Sequence, residues 1–196
     1  GWERIKSIAR KHGDQRTTPQ ETSELRTVLA KIAWLTRGTR PELSYDLARL
    51  QQRINEALVR DIIDTNLLVD RARRDAKAII VLEPLNWDTM ELMAVGDSSF
   101  MNGEQGATQA GYFIMGCEPD MWKNGYGKVS CISWRSHKLR RKVRSTLAAE
   151  TMAMNESTEE ADLIRAYLAE SRAEDFDLRR WQDHVKQVKL TAITDC

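Results

Sequence analysis

The chain has 196 residues, of which 41% are hydrophobic and 30% charged, and its formal net charge is +1. These values are typical of a globular chain of one or two small domains. They give no global electrostatic preference for any partner, and the absence of an apolar run of about 20 residues argues against a membrane partner.

The first part of the chain is predicted to be helical. Residues 1–17 are polar and basic, and Thr18-Pro19-Gln20-Glu21 then has the pattern of a helix start, with Thr as the cap, Pro in the first turn and Glu completing a capping box. Two further helices are predicted to begin near Arg40-Pro41 and near Leu58. We expect residues 18–83 to form helices packed on one another, with Trp34 in their core.

From residue 84 the pattern changes to strands separated by turns. The first strand is predicted to be central because it is apolar on both sides, and the three together favour an antiparallel meander. A long helix from Ser145 precedes a fourth strand, a connection that favours parallel pairing. The predicted strands are Met90–Gly96, Gln109–Gly116, Lys128–Trp134 and Leu190–Thr194.

Three cysteines, Cys117, Cys131 and Cys196, form no Cys-x-x-Cys pair and give an odd count. This usage predicts reduced thiols in a reducing compartment.

Three acids stand where the local pattern gives them no structural reason to be. Asp97 ends the first strand-like run, Asp195 ends the fourth, and Glu150 lies on the apolar face of the long helix. Acids in such places pair, shift their pKa or bind a cation. No Lys or Arg lies within a few residues of Asp97 or Asp195, so the economical interpretation is a carboxylate cluster for a divalent metal.

Each acid also has a structural alternative. Glu150 could lie at the edge of its apolar stripe with its carboxylate in water, and the two strand-end acids could cap the following turns. Together they can converge at one end of a sheet, where oxygen ligands suit Mg²⁺ or Mn²⁺. Two such ions about 3.5–4 Å apart can activate a water and steady the leaving oxygen of a phosphodiester.

A dense basic run precedes the helix that carries Glu150, and such a run can bind nucleic-acid phosphates. The alternative is a solvated loop. The candidate nucleic-acid-binding residues are Arg135, Lys138, Arg140, Arg141, Lys142 and Arg144.

Several short motifs occur in a fixed order. They are Arg40-Pro41-Glu42-Leu43-Ser44-Tyr45, Val95-Gly96-Asp97-Ser98-Ser99-Phe100, Gly111-Tyr112, Ile132-Ser133-Trp134-Arg135-Ser136, Ser145-Thr-Leu-Ala-Ala-Glu150 and Thr194-Asp195-Cys196. In this order they resemble the C-terminal part of a copia-type retrotransposon polyprotein. Residues 18–83 resemble the connection that follows the reverse transcriptase, and residues 84–196 resemble the ribonuclease H domain.

The resemblance implies an α/β ribonuclease H-like fold of three antiparallel strands, a helix and a parallel fourth strand. It implies that Asp97, Glu150 and Asp195 are catalytic and are three of four acids that hold two Mg²⁺ or Mn²⁺ ions. Asp97 would bind both ions, and the other two acids one each. The implied reaction is endonucleolytic hydrolysis of the RNA strand of an RNA–DNA hybrid, which leaves a 3′-hydroxyl and a 5′-phosphate. The implied partners are the hybrid and an upstream reverse transcriptase domain in the same polyprotein.

The chain also departs from the family pattern. Ser99 stands where family members often carry a second Asp, and Phe100 stands where Trp is usual. The family's fourth acid lies on a later helix, so we expect the ribonuclease H-like domain to be truncated here. The alternative function is therefore an inactive nucleic-acid-binding or structural fragment of a decayed element. The expected location is cytoplasmic, with a virus-like particle or the nucleus as alternatives.

Overall fold

A computed structural model describes residues 4–5, 13–101, 103 and 106–195. These residues form two compact units. The first contains the described residues up to Ile80 together with Ser136–Lys138, and the second contains Val81–Arg135 and the described residues from Leu139 onward. None of the helices in the described part of the chain is long and apolar enough to cross a bilayer.

The first unit is built from three helices. They are α1 (Pro19–Gly38), α2 (Ser44–Arg53), which continues a short 3₁₀ turn at Pro41–Leu43, and α3 (Val59–Arg74). The predicted capping box at the start of α1 is confirmed. The Thr18 hydroxyl accepts a hydrogen bond from the Glu21 amide, and the Glu21 carboxylate accepts one from the Thr18 amide.

The helices of the first unit pack on one another, as predicted. Leu25, Leu29 and Ile32 of α1 share an apolar core with side chains from α2 and α3. The expectation that Trp34 belongs to this core is wrong, because its side chain is 86% exposed. Each helical residue turns about 100°, so Trp34, two residues after Ile32, points about 200° away from it around the helix.

The polar segment 1–17 is described only in part. Residues 1–3 and 6–12, which include Lys6, Arg10 and Lys11, lie outside the described residues. Ile5 is buried in the core of the first unit, and its amide donates a hydrogen bond to Asn66 of α3. This part of the segment is therefore docked on α3.

The second unit contains a four-stranded mixed sheet in the order β3-β2-β1-β4, apart from Ser136–Lys138 at the end of β3, which belong to the first unit. β1 and β2 are antiparallel, and β4 runs parallel to β1. The predicted fold of three antiparallel strands, a helix and a parallel fourth strand is confirmed. The elements are β1 (Glu91–Ser99), β2 (Gln109–Cys117), α4 (Met121–Asn124), β3 (Val129–Lys138), α5 (Thr146–Arg172), α6 (Trp181–Val185) and β4 (Leu190–Ile193).

Two strands extend at least three residues beyond their predicted ends. β1 continues to Ser99, so Asp97 lies within the strand, opposite Gly111 of β2, and does not end it. β3 continues to Lys138, four residues beyond the predicted end at Trp134. The added residues of β3 are polar, so they give no apolar pattern from which a strand could be predicted.

Small side chains let α5 lie close against the sheet. Ala149, Ala153, Ser157 and Ala161 recur every four residues and are almost completely buried. Residues four apart lie on one helix face, so these four form the face of α5 that packs on the sheet. Glu150 is therefore carried at the start of α5, on its inner side.

Candidate metal centre

The three predicted acids meet in space. Asp97, Glu150 and Asp195 each offer a carboxylate oxygen, and these three oxygens lie within 4.8 Å of one another. Asp97 comes from β1, Glu150 from the second turn of α5, and Asp195 from just beyond β4. Acids that are 98 residues apart in the sequence thus form one cluster.

The parallel register explains how the two aspartates meet. The last pair of the β1–β4 ladder joins Val95 to Ile193. Asp97 and Asp195 each come two residues after this pair. Since neighbouring parallel strands advance along the same direction by the same rise per residue, the two carboxylates reach the same level at the same end of the sheet.

The third acid is held in place by the start of α5. Ser145 caps this helix, with its hydroxyl accepting a hydrogen bond from the Ala148 amide at 3.1 Å. Glu150 is only 6% exposed. The alternative in which its carboxylate reaches water from the edge of the apolar stripe is therefore wrong.

The two oxygens of the Glu150 carboxylate differ in their surroundings. Oε1 accepts a hydrogen bond from the Ser98 hydroxyl at 2.7 Å. Oε2 is buried and has no hydrogen-bond partner among the described residues. A buried carboxylate oxygen without a partner is destabilising, so the cluster contains an acceptor that lacks a donor or a cation.

The donor set of this cluster fits a hard divalent cation. Three carboxylates repel one another, and a cation between them would remove that repulsion and satisfy Oε2 of Glu150. No Lys or Arg in the described ranges forms an ion pair with any of the three acids. Asp97 and Asp195 are exposed, so an ion and a substrate phosphate can reach the cluster from solvent.

The predicted nucleic-acid-binding residues lie on β3 and on the link from β3 to α5. Arg135 and Lys138 belong to the strand, whereas Arg140, Arg141, Lys142 and Arg144 belong to the link. All six side chains are exposed. They are thus accessible to a polyanion from solvent. Nucleic-acid binding by these residues stays a prediction.

Apolar side chains fix the link to the domain. Leu139 is buried and packs with Ala110 of β2 and with Ala149 and Ala153 of α5, and Val143 packs against the same cluster. The Leu139 amide also donates a hydrogen bond to the Thr108 carbonyl at 2.9 Å. The basic link is therefore anchored beside Ala149, the neighbour of Glu150 in the chain.

Arg135 is partly committed to a contact within the sheet. Its guanidinium lies near the Tyr112 hydroxyl of β2 and interacts with it electrostatically. Burial raises the pKa of Tyr112 above its ordinary value, the nearby Glu160 adds to this increase, and Arg135 opposes it. Arg135 therefore has less freedom to contact a phosphate than the residues of the link.

Two residues at this site are not among the site residues predicted from the sequence. Ser98 hydrogen-bonds Glu150, and Gly96 lies against the backbone of α5. A glycine inside a strand can indicate a close approach of another backbone, so Gly96 carried a usable signal. Ser98 carried none, because its partner is 52 residues away in the sequence.

No protein-family model matches the chain, and no curated protein matches it. Among solved structures, the chain is similar to the crystal structure of the native prototype foamy virus protease–reverse transcriptase, with a TM-score of 0.28 and 12% identity. The similarity covers 59% of this chain and 19% of that chain. The chain thus spans about a fifth of the length of that protein.

Proposed function

We propose that the second unit is a ribonuclease H-type endonuclease domain of a copia-type retrotransposon polyprotein. Its reaction would be hydrolysis of the RNA strand in RNA–DNA hybrids made by an upstream reverse transcriptase. The observation that carries this proposal is the meeting of Asp97, Glu150 and Asp195 in one cluster, in which one oxygen of the Glu150 carboxylate is buried and has no hydrogen-bond partner among the described residues. The order of strands around α5, which the resemblance implies, supports it.

Each acid has a distinct part in this proposal. Asp97 would hold two Mg²⁺ or Mn²⁺ ions, and Glu150 and Asp195 would hold one each. When bound, such a pair of ions activates a water and stabilises the leaving oxygen of the phosphodiester. The exposed acids Asp97 and Asp195 leave the cluster open on the side from which a phosphate can approach, while buried Glu150 forms its floor.

The basic link would hold the substrate. Its cations would neutralise phosphates of the hybrid and release the counterions that these phosphates condense. Such contacts position a duplex without reading its sequence. Because Leu139 and Val143 pack beside the start of α5, a duplex on the link would lie close to the helix that carries Glu150.

A second candidate function is hybrid binding without cleavage. The exposed cations of the link favour it, because they can bind phosphates with no metal present. The two functions differ in whether the acid cluster is required, so one substitution in the cluster separates them.

The test is cleavage of an end-labelled RNA–DNA hybrid in Mg²⁺ or Mn²⁺ by this chain and by the longest natural polypeptide that contains it. Asp97→Asn is the matched variant, because it removes one charge and keeps the shape of the side chain. We expect metal-dependent cutting of the RNA strand, lowered at least about 100-fold by Asp97→Asn, which corresponds to about 2.7 kcal/mol in the barrier. Hybrid binding by the variant should persist.

Two results would contradict the proposed nuclease activity. Binding of the hybrid without cutting by either polypeptide would favour the non-catalytic function. Cutting that Asp97→Asn leaves unchanged would place the activity outside this cluster. An RNA–RNA duplex and a reaction with chelator serve as controls for substrate class and for metal dependence.

A further inference from the structure

The Ser98 hydroxyl makes the two oxygens of the Glu150 carboxylate different from each other. Ser98 directly follows Asp97 in β1, and its hydroxyl donates a hydrogen bond to Oε1 of Glu150 at 2.7 Å. The other oxygen, Oε2, is buried and has no partner among the described residues. One hydrogen bond thus divides the carboxylate into an anchored oxygen and a free one.

We propose that Ser98 is a positioning residue, which orients the Glu150 carboxylate so that Oε2 is presented to a divalent cation. The inference rests on the proposed function, because it concerns the same acid cluster. A glutamate side chain has three rotatable bonds, and a ligand that is free to turn binds a metal less tightly than one fixed by a neighbouring hydrogen bond. Ser98 supplies that hydrogen bond from β1, which has a neighbouring strand on each side.

The close packing of α5 makes this contact possible. At Gly96, two residues before Ser98, an added Cβ atom would lie only 3.1 Å from the Ala153 carbonyl oxygen. The short serine side chain can therefore reach Glu150 directly across the interface between the strand and the helix. A larger separation of the two elements would break this contact.

A second strand-to-helix pair provides the comparison. The Ser133 hydroxyl of β3 donates to Oε1 of Glu160 at 2.9 Å, ten residues further along α5. This hydrogen bond also joins a serine to a glutamate over a similar donor–acceptor distance, but neither residue belongs to the acid cluster. Removal of the Ser133 hydroxyl therefore measures the loss of such a hydrogen bond where no metal role is proposed.

The test is Mn²⁺ binding, followed by the electron paramagnetic resonance signal of the free ion, in the full chain and in Ser98→Ala and Ser133→Ala. Replacement of residues that orient metal ligands weakens metal binding by about 10- to 100-fold. We expect Ser98→Ala to raise the Mn²⁺ Kd by at least about 10-fold and Ser133→Ala to leave it unchanged. Far-UV circular dichroism at the same temperature checks that each variant is folded.

A pair of isosteric variants isolates the hydroxyl. Thr and Val have nearly the same shape, and both are well suited to a strand. Ser98→Thr should retain Mn²⁺ binding close to that of the unaltered chain, and Ser98→Val should lose it to the same extent as Ser98→Ala. This pair decides the question even if the alanine variant does not fold.

The outcomes separate the two proposals. If the unaltered chain binds no Mn²⁺ at the acid cluster, the metal-dependent function itself is wrong. If the unaltered chain binds Mn²⁺ and Ser98→Thr and Ser98→Val bind it equally well, the function survives and the positioning role of Ser98 is overturned.

Discussion

Gly96 lies so close to α5 that a Cβ atom at this position would be 3.1 Å from the carbonyl oxygen of Ala153. Gly96 directly precedes Asp97, and Ala153 follows Glu150 by less than one helical turn. The two elements that supply these acids are thus in contact through their backbones beside the cluster. Ala153 and Glu150 lie on the same helix, and a helix moves as a unit. The contact at Ala153 therefore helps to fix the position of Glu150 relative to Asp97.

Gly96→Ala should lower both stability and metal affinity. The added methyl group must push α5 away from β1, and such overpacking typically costs about 1–3 kcal/mol. The measurement is urea unfolding together with Mn²⁺ titration. Gly111→Ala is the matched control for stability, because a Cβ atom there meets the Arg135 carbonyl oxygen at an ordinary 3.5 Å. Equal unfolding free energies for the two variants would contradict the tight contact.

Glu150→Gln should leave the stability of the metal-free domain unchanged or slightly higher and should remove most of its stabilisation by metal. Without divalent ions, the variant should be as stable as the unaltered chain or more stable by about 1 kcal/mol, because it removes a buried charge that two like charges repel. Mn²⁺ at about 100 times its Kd should stabilise the unaltered chain by about 2.7 kcal/mol. The variant should gain little.

Thermal unfolding with and without Mn²⁺ measures this difference. Glu170→Gln, which changes an exposed glutamate near the other end of the same helix, should keep the full response to Mn²⁺. A response retained by Glu150→Gln would show that the ion binds elsewhere on the chain.

Local chemistry accounts for what could be predicted from the sequence. The capping box at Thr18 and Glu21 needs only residues three positions apart. The antiparallel meander follows from apolar runs and turns, and the parallel direction of the fourth strand follows from the helix that precedes it. The meeting of Asp97 with Asp195 follows in turn, because parallel neighbours bring corresponding positions to one end of the sheet.

What could not be predicted depends on angles and distances that no local pattern contains. Trp34 has apolar neighbours in sequence, but it lies on the opposite side of α1 from Leu25, Leu29 and Ile32 and is exposed. The contact of Ser98 with Glu150 needs the packing of α5 on β1, which depends on many small side chains at once. The polar residues at the end of β3 likewise have no apolar periodicity from which a strand could be predicted.

Removal of two cations from the basic link should weaken hybrid binding in a manner that depends on salt. The slope of log K against log salt concentration changes by about 0.9 for each phosphate contact on a duplex. The double variant Arg140→Gln and Arg141→Gln should therefore reduce the slope by about 2 if both residues contact phosphates. Fluorescence anisotropy of a labelled hybrid over a range of salt concentrations gives this slope.

The control for this experiment removes two cations elsewhere. Arg37 and Arg73 are exposed on α1 and α3 of the first unit. Their double replacement by Gln lowers the net charge equally and should leave the slope nearly unchanged. If both double variants reduce the slope by the same amount, the binding reflects net charge and not the link.

The thiols of Cys117, which is buried, and of Cys131, which is half-buried, should make the chain less stable as pH rises above 9. Burial raises the pKa of Cys117 and of Cys131 above the ordinary value of 9.0. Just above pH 9 the thiols of the unfolded chain ionise while those of the folded chain keep their protons. The unfolded state therefore binds fewer protons, and the free energy of unfolding falls as pH rises, by no more than about 1.4 kcal/mol per pH unit for each thiol.

Urea unfolding between pH 8 and pH 10 tests this effect, with the double variant Cys117→Ala and Cys131→Ala as the comparison. The unaltered chain should lose stability more steeply than the variant above pH 9, and the two should run parallel below it. Iodoacetamide should also modify both thiols slowly in the folded chain, because the thiolate is the reactive form. Cys196, which lies outside the described residues, is kept in both proteins so that its contribution cancels. A common slope across the whole range would mean that Cys117 and Cys131 ionise as readily in the folded chain as in the unfolded one.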